Sequence, residues 1–167
     1  EKSAWAAEAS RAIAASNEVP PTDAQVIGAV QRASLPTDIV VCAAGGLPGE
    51  LHKLWQAGAP GGYHLEYGFS CMGYEIAGGL GVKLARPDRE VTVMLGDGSY
   101  LMLNSELATS VALGRKLIVV LLDNGGFGCI DRLQHATGGE SFNNLVPHGV
   151  DLVAHARSLG AIAERAE

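Results

Sequence analysis

The sequence is poor in the devices on which several protein classes depend. Its three cysteines, Cys42, Cys71 and Cys129, are far apart and form no CxxC pair, which argues against a disulfide framework and fits a reduced, intracellular (cytoplasmic) setting. No apolar run reaches the roughly 18 residues of a membrane span. The opening Glu1-Lys2-Ser3-Ala4-Trp5 lacks the ordered basic and apolar regions of a signal peptide. No Lys/Arg cluster offsets a formal net charge of −6, so no nucleic-acid partner is expected and a small-molecule ligand is. No glycine-rich loop runs into Gly-Lys-Ser/Thr, which excludes a Walker phosphate loop. The five histidines have no zinc-ligand spacing.

What remains is a chain of 167 residues, 47% apolar and 18% charged, suited to one well-buried domain. There is no initiator Met, and a helical stretch at 151–159 closes at Gly160 where another strand would follow. The expectation is a domain taken from a longer protein: a linker helix over 1–19 (helical to about residue 16), then one domain over 20–167, truncated at its end. Thr22 and Gln25 form a capping-box pattern for a helix ended by Leu35-Pro36. A short buried strand over 38–43 enters a flexible turn, 44–49, and a helix over 50–55. A possible strand at 63–67 precedes a small-residue helix at 74–85. Residues 91–95 and 117–122 are continuously apolar strands flanking a helix at 105–113, with Asn104 as its N-cap and Gly114 past its end. Successive strand–helix–strand units of this length are right-handed crossovers. They predict an α/β fold, a doubly wound parallel sheet with helices on both faces.

Each apolar strand runs into a polar cluster, Gly96-Asp97-Gly98-Ser99 after the first and Asp123-Asn124-Gly125-Gly126 after the second. Both clusters therefore lie at carboxyl ends of parallel strands, the edge where open α/β sheets bind ligands. On neighbouring strands, about 4.8 Å apart, Asp97 and Asn124 would converge on one object. A carboxylate and an amide oxygen suit a hard cation such as Mg²⁺ or Ca²⁺, and phosphate oxygens and water usually complete the shell of Mg²⁺. Gly96 and Gly98 would admit phosphates to the backbone, and Ser99 offers a hydroxyl and an N–H. Either cluster alone also reads as a plain turn. Gly45 and Gly46 end the first strand on the same edge.

Other patterns have blander readings. Gly78-Gly79-Leu80-Gly81 lies inside a helix and fits close helix packing. Gly68-Phe69-Ser70-Cys71-Met72 nearly matches a nucleophile elbow, but Met72 would crowd its strained turn. Cys129 reads as packing, and Glu106 as an acid complementing a helix N-terminus. His135 is a weak candidate for lying near substrate.

Gly96-Asp97-Gly98 followed by Asn124, 27 residues beyond Asp97, resembles the motif of thiamine-diphosphate enzymes of the acetolactate synthase type, in their pyrophosphate-binding domain. The resemblance covers roughly residues 20–160. It implies that Asp97, Asn124 and the Gly126 carbonyl hold Mg²⁺, with Asp123 standing where many members carry a first Asn. Ser70-Cys71-Met72-Gly73-Tyr74-Glu75 is similar to the segment that precedes the motif. Its Met72, 25 residues before Asp97, would wedge between the cofactor rings, while the Ser70 carbonyl accepts from the aminopyrimidine. Gly45, Gly46, Gly98 and Ser99 would face the diphosphate.

The resemblance further implies that thiamine diphosphate carries the difficult chemistry and that the enzyme is a homo-oligomer when full length. A glutamate on a missing pyrimidine-binding domain, usually of the partner subunit, would complete the site, leaving no catalytic residue of its own in this chain. Residues 123–130 and 138–144 resemble the branch that opens a cyclic 1,2-diketone by C–C hydrolysis in inositol catabolism. The alternatives are a 2-oxo acid carboligase or decarboxylase, and a non-catalytic α/β binding domain that has kept the fold.

Overall fold

The structure, a computed structural model, describes residues 1–145 and 149–166. Residues 146–148 and 167, which fall within the domain expected over 20–167, lie outside the described residues. Twelve elements follow in order: α1 (Lys2–Ala12), α2 (Asp23–Ala33), β1 (Ile39–Cys42), α3 (Gly46–Leu54), β2 (Tyr63–Leu65), α4 (Tyr74–Ala85), β3 (Val91–Gly96), α5 (Asp97–Met102), α6 (Glu106–Ala112), β4 (Ile118–Leu122), α7 (Gly128–Ala136) and α8 (Leu152–Ser158).

The four strands form one sheet in the order β2-β1-β3-β4, with every pairing parallel. Alternation along the strands splits the core in two. Val40, Cys42 and Met94 pack against Ala9 of α1, Ile27 of α2 and Leu47, Leu51 and Leu54 of α3. Ile39, Val41, Val91, Val93 and Leu95 pack against Ile76 of α4, Tyr100 of α5 and Leu107 of α6, with Leu152 and Leu159 at the margin. Helices thus cover both faces, as the apolar runs of β1 and β3 require. Residues 1–19 contain α1, whose Ala9 is buried in the first of these clusters. Among the described residues no helix is long and apolar enough to cross a membrane.

The capping box at Thr22 is present: its hydroxyl accepts from the Gln25 N–H at 3.3 Å, and Gln25 Oε1 accepts from the Thr22 N–H at 2.7 Å. Elsewhere tertiary contacts shift the expected boundaries. The glycine-rich turn expected over 44–49 is already helical from Gly46. Pro48 sits in the first helical turn, where no intrahelical acceptor needs its absent N–H, and both Leu47 and Pro48 are buried. Asn104 does not cap α6; its Nδ2 donates to the Tyr100 carbonyl at 3.1 Å, and Ser105 occupies the cap position. β4 is half-buried because it is the outer strand of this sheet. Gly79 serves close packing, but of α4 on β3: an added Cβ would lie 2.4 Å from a Val93 methyl.

Candidate functional site

The register places the two polar clusters side by side. Leu95 pairs with Leu121 and Gly96 with Leu122, so the chain leaves both strands at one level. Asp97 is fully buried at the start of α5, and the Asn124 N–H points to its Oδ1 at 3.5 Å. The Asn124 amide oxygen stands 3.1 Å from Asp97 Oδ1 and 3.0 Å from the Gly126 carbonyl oxygen. Acceptors this close repel unless a cation lies among them. Rotating the amide by a half-turn would instead present its NH₂ to both partners. Adjacent oxygens of a Mg²⁺ octahedron with bonds of about 2.1 Å lie about 3.0 Å apart. Both separations match that edge. Among the described residues no cluster of three His, Cys, Asp or Glu side chains could hold a metal. The oxygen set of carboxylate, amide and carbonyl fits a hard divalent cation.

The glycines around this cradle answer to different constraints. Gly45 has φ 121° and ψ −169°, a backbone conformation that essentially only glycine adopts. Gly98 is crowded by protein: a Cβ there would lie 2.8 Å from the Phe127 ring and 3.2 Å from the Gly126 carbonyl. Gly96 has room, its nearest neighbour being 3.9 Å away. Gly126 has φ 134°, and a Cβ would fall 2.3 Å from the Asn144 carbonyl, which accepts from the Phe127 N–H at 2.7 Å. The segment 143–145 therefore returns to brace the third donor of the cradle, bridging to Gly126 through Leu145. Gly126→Ala is expected to displace that carbonyl and weaken Mg²⁺-dependent cofactor binding by roughly 10-fold or more, as outer contacts of metal sites do. Titration of the variant with Mg²⁺ at fixed cofactor would show a raised midpoint; an unchanged midpoint would remove Gly126 from the site. A cleft of about 280 Å³ opens beside the cradle between Gly98, Met102, Phe127 and Asn144.

One residue that the motif reading passed over organises the whole edge. Glu75, in the first turn of α4, is fully buried. Its carboxylate accepts from the Ser99 hydroxyl at 2.7 and 2.8 Å and from the Gly73 N–H at 3.0 Å, and the Ala44 amide also bonds to it. Ser99 Oγ in turn accepts from the Gly73 N–H at 2.8 Å. The Ser99 side chain is thus turned inward and committed to Glu75, so only its main-chain N–H remains for a ligand. Burial pushes the Glu75 carboxyl above its ordinary range, opposed by the Ser99 hydrogen bond and then by backbone amides. The sequence signal was an acid beside Ile76 in an otherwise small and apolar helix; only three dimensions show its partners.

Ser70 is exposed with φ 55°. The Glu66 carboxylate shapes its turn, accepting from the Phe69 N–H at 3.1 Å and the Cys71 N–H at 2.7 Å. These bonds hold the Glu66 carboxyl below its ordinary range. Met72 is half-buried and belongs to neither core cluster. Gly73, at φ 89°, lets this loop approach α5: a Cβ there would meet Leu103 at 3.2 Å and Met102 at 3.4 Å. Gly45, Gly46, Gly98 and Ser99 therefore gather with Asp97, Asn124 and Gly126 along the carboxyl edge. Residues 70–73 are joined to them through Glu75. His135 and Cys129 are exposed on α7, a helix the sequence reading did not anticipate, with His135 Nε2 at 3.8 Å from Asp131.

A doubly wound parallel sheet with an oxygen cradle where β3 and β4 end defines a cofactor-binding α/β domain. Residues 43–167 match the thiamine pyrophosphate enzyme C-terminal TPP binding domain, and the chain belongs to that family. It is similar to the 3D-(3,5/4)-trihydroxycyclohexane-1,2-dione hydrolase of Bacillus licheniformis, 52% identical over 125 residues covering 75% of this chain and 19% of that protein. The protein of the same name from Halalkalibacterium halodurans is 55% identical over 107 residues, 64% of this chain and 17% of the relative. This chain spans about a fifth of the length of these relatives. The thiamine diphosphate-dependent 4-hydroxybenzoylformate decarboxylase of Rhodococcus jostii RHA1 shares the fold, with a TM-score of 0.79 at 24% identity over 88% of this chain and 28% of that one.

Proposed function

We propose that residues 20–167 form the Mg²⁺ and thiamine-diphosphate binding domain of a longer enzyme that hydrolyses a C–C bond of a cyclic 1,2-diketone in inositol breakdown. The observation that carries this reading is the meeting of Asp97, Asn124 and the Gly126 carbonyl where β3 and β4 end, with two of their separations at 3.1 and 3.0 Å. The relatives named as trihydroxycyclohexane-dione hydrolases, more than half identical over most of the chain, support the substrate class.

When bound, thiamine diphosphate supplies the nucleophile and the electron sink for breaking a C–C bond beside a carbonyl. This chain's residues bind and orient it. Asp97, Asn124 and the Gly126 carbonyl would hold Mg²⁺. The N–H groups of Gly45, Gly46, Gly98 and Ser99 would bind the diphosphate. The Ser70 carbonyl and the Met72 side chain would orient the rings. Neither Cys129 nor His135 has a partner set that would make it a nucleophile or base, so the remaining acid–base group comes from the pyrimidine-binding domain. Tyr67, Phe69 and Phe142, exposed by 62%, 90% and 74%, suit contact with such a domain. The full-length enzyme is cytoplasmic and homo-oligomeric in this reading.

Full-length protein given the cyclic dione and, separately, pyruvate is expected to consume only the dione, forming the ring-opened acid, while the 167-residue chain turns over neither. Preferential consumption of pyruvate would favour a carboligase or decarboxylase, and steady turnover by the 167-residue chain would overturn the domain assignment.

A further inference from the structure

Arg132 lies beside the proposed cofactor site, and no motif identifies it. It lies on α7, four residues along from Gly128. Its guanidinium reaches across the carboxyl edge of the sheet to the start of α3. A Cβ built on Gly46 would lie 2.2 Å from Nη2 and 3.5 Å from Cζ. A Cβ on Gly128 would lie 3.5 Å from Arg132 Nη1 and 3.3 Å from Asn124 Nδ2. The guanidinium is therefore seated between two positions bare of side chains, one after β1 and one after β4, beside the amide of the oxygen cradle.

Its acidic neighbours do not claim it. Asp23 feels its charge, which lowers the Asp23 carboxyl against a larger rise from burial. Glu50 is paired with Lys53 at 2.8 Å. Among the described residues no carboxylate lies within 4 Å of Arg132. A guanidinium is never neutral in a protein, and its planar fork matches the oxygens of a phosphate. The chain also reverses direction across the sheet between β1 and β3, the crevice where doubly wound folds take their ligands.

We propose that Arg132 binds a phosphate oxygen of the cofactor diphosphate, sharing with Mg²⁺ the neutralisation of that anion. Gly46 is then glycine partly because any side chain there would push the guanidinium away. The inference rests on the cofactor assignment made above and adds a ligand-binding residue to it.

Calorimetry on the full-length enzyme with Mg·thiamine diphosphate, and separately with Mg·inorganic pyrophosphate, tests it in the wild type, Arg132→Ala and Arg132→Lys. Hydrogen bonds to charged groups contribute about 1.5–3 kcal/mol, so Arg132→Ala is expected to raise both dissociation constants by roughly 10- to 100-fold. Arg132→Lys should recover only part of the loss, because an ammonium lacks the fork. The side chain is exposed, so the melting temperature without ligand should stay within a degree or two of wild type. Wild-type affinity of Arg132→Ala for both ligands would overturn the proposal. So would an unchanged cofactor affinity with a raised KM for the ketone, which would place Arg132 on the substrate. Failure of the wild type itself to bind Mg·thiamine diphosphate would sink the cofactor assignment, and this inference with it.

Discussion

Asp97→Ala in the full-length enzyme is expected to lower the affinity for thiamine diphosphate in the presence of Mg²⁺ by at least ~100-fold. Residues that merely support metal ligands contribute about 10- to 100-fold, and a coordinating carboxylate should exceed them. Asp97 is the only charged donor of the three oxygens in the cradle, so its loss removes the charge that draws the cation out of water. Asp97→Asn keeps an oxygen near the same place and should fall between wild type and Asp97→Ala. Calorimetry with and without chelator reads the effect directly, since residual metal-free affinity should be the same in all three proteins. Equal Mg²⁺-dependent affinity in wild type and Asp97→Ala would end the metal assignment.

Glu75→Ala is expected to be the most destabilising substitution at this edge that removes no cofactor contact. It leaves the Ser99 hydroxyl and the Ala44 amide without their acceptor, while the Gly73 N–H keeps Ser99 Oγ. At about 1–3 kcal/mol for each stranded donor, the loss should be about 2–5 kcal/mol, read by denaturant unfolding. Glu75→Gln keeps the shape and one oxygen, and should lose less.

The two proteins should also differ in their response to pH. Burial raises the folded-state pKa of Glu75 above the ordinary glutamate range, so the native state holds this proton more tightly than the unfolded chain. That contribution is fully present below the unfolded pKa and is lost as pH rises through the folded pKa. The stability advantage of wild type over Glu75→Gln should therefore shrink as pH is raised from about 4.5 toward neutrality. A gap that widened over this range would show that the carboxylate is favoured inside, contrary to its burial.

Glu75 also shows why a motif can be legible while its support is not. Asp97 and Asn124 could be read because each follows an apolar β-branched run, and parallel pairing at nearly equal levels does the rest. Glu75 follows no strand. Its importance comes from three segments meeting at its carboxylate: Ala44 after β1, Gly73 before α4 and Ser99 after β3. Sequence spacing says nothing about such a meeting. The same holds for Arg132, on a helix that the sequence reading did not anticipate. It holds too for the Asn104 cap, where a local preference yielded to a bond with the Tyr100 carbonyl.

The sequence by itself determined the parallel α/β order and strands over 38–43, 91–95 and 117–122, which fold at 39–42, 91–96 and 118–122, with Asp97 and Asn124 just past the ends of the last two. It could do so because apolar runs can be buried only as sheet interior and the donors sit at their ends. The tertiary structure alone decided that Gly46 starts a helix and that the Ser99 hydroxyl faces inward to Glu75. It also set the Gly126 carbonyl against residues 143–145. Those outcomes depend on contacts between segments distant in the chain, and burial and packing between such segments override local preference.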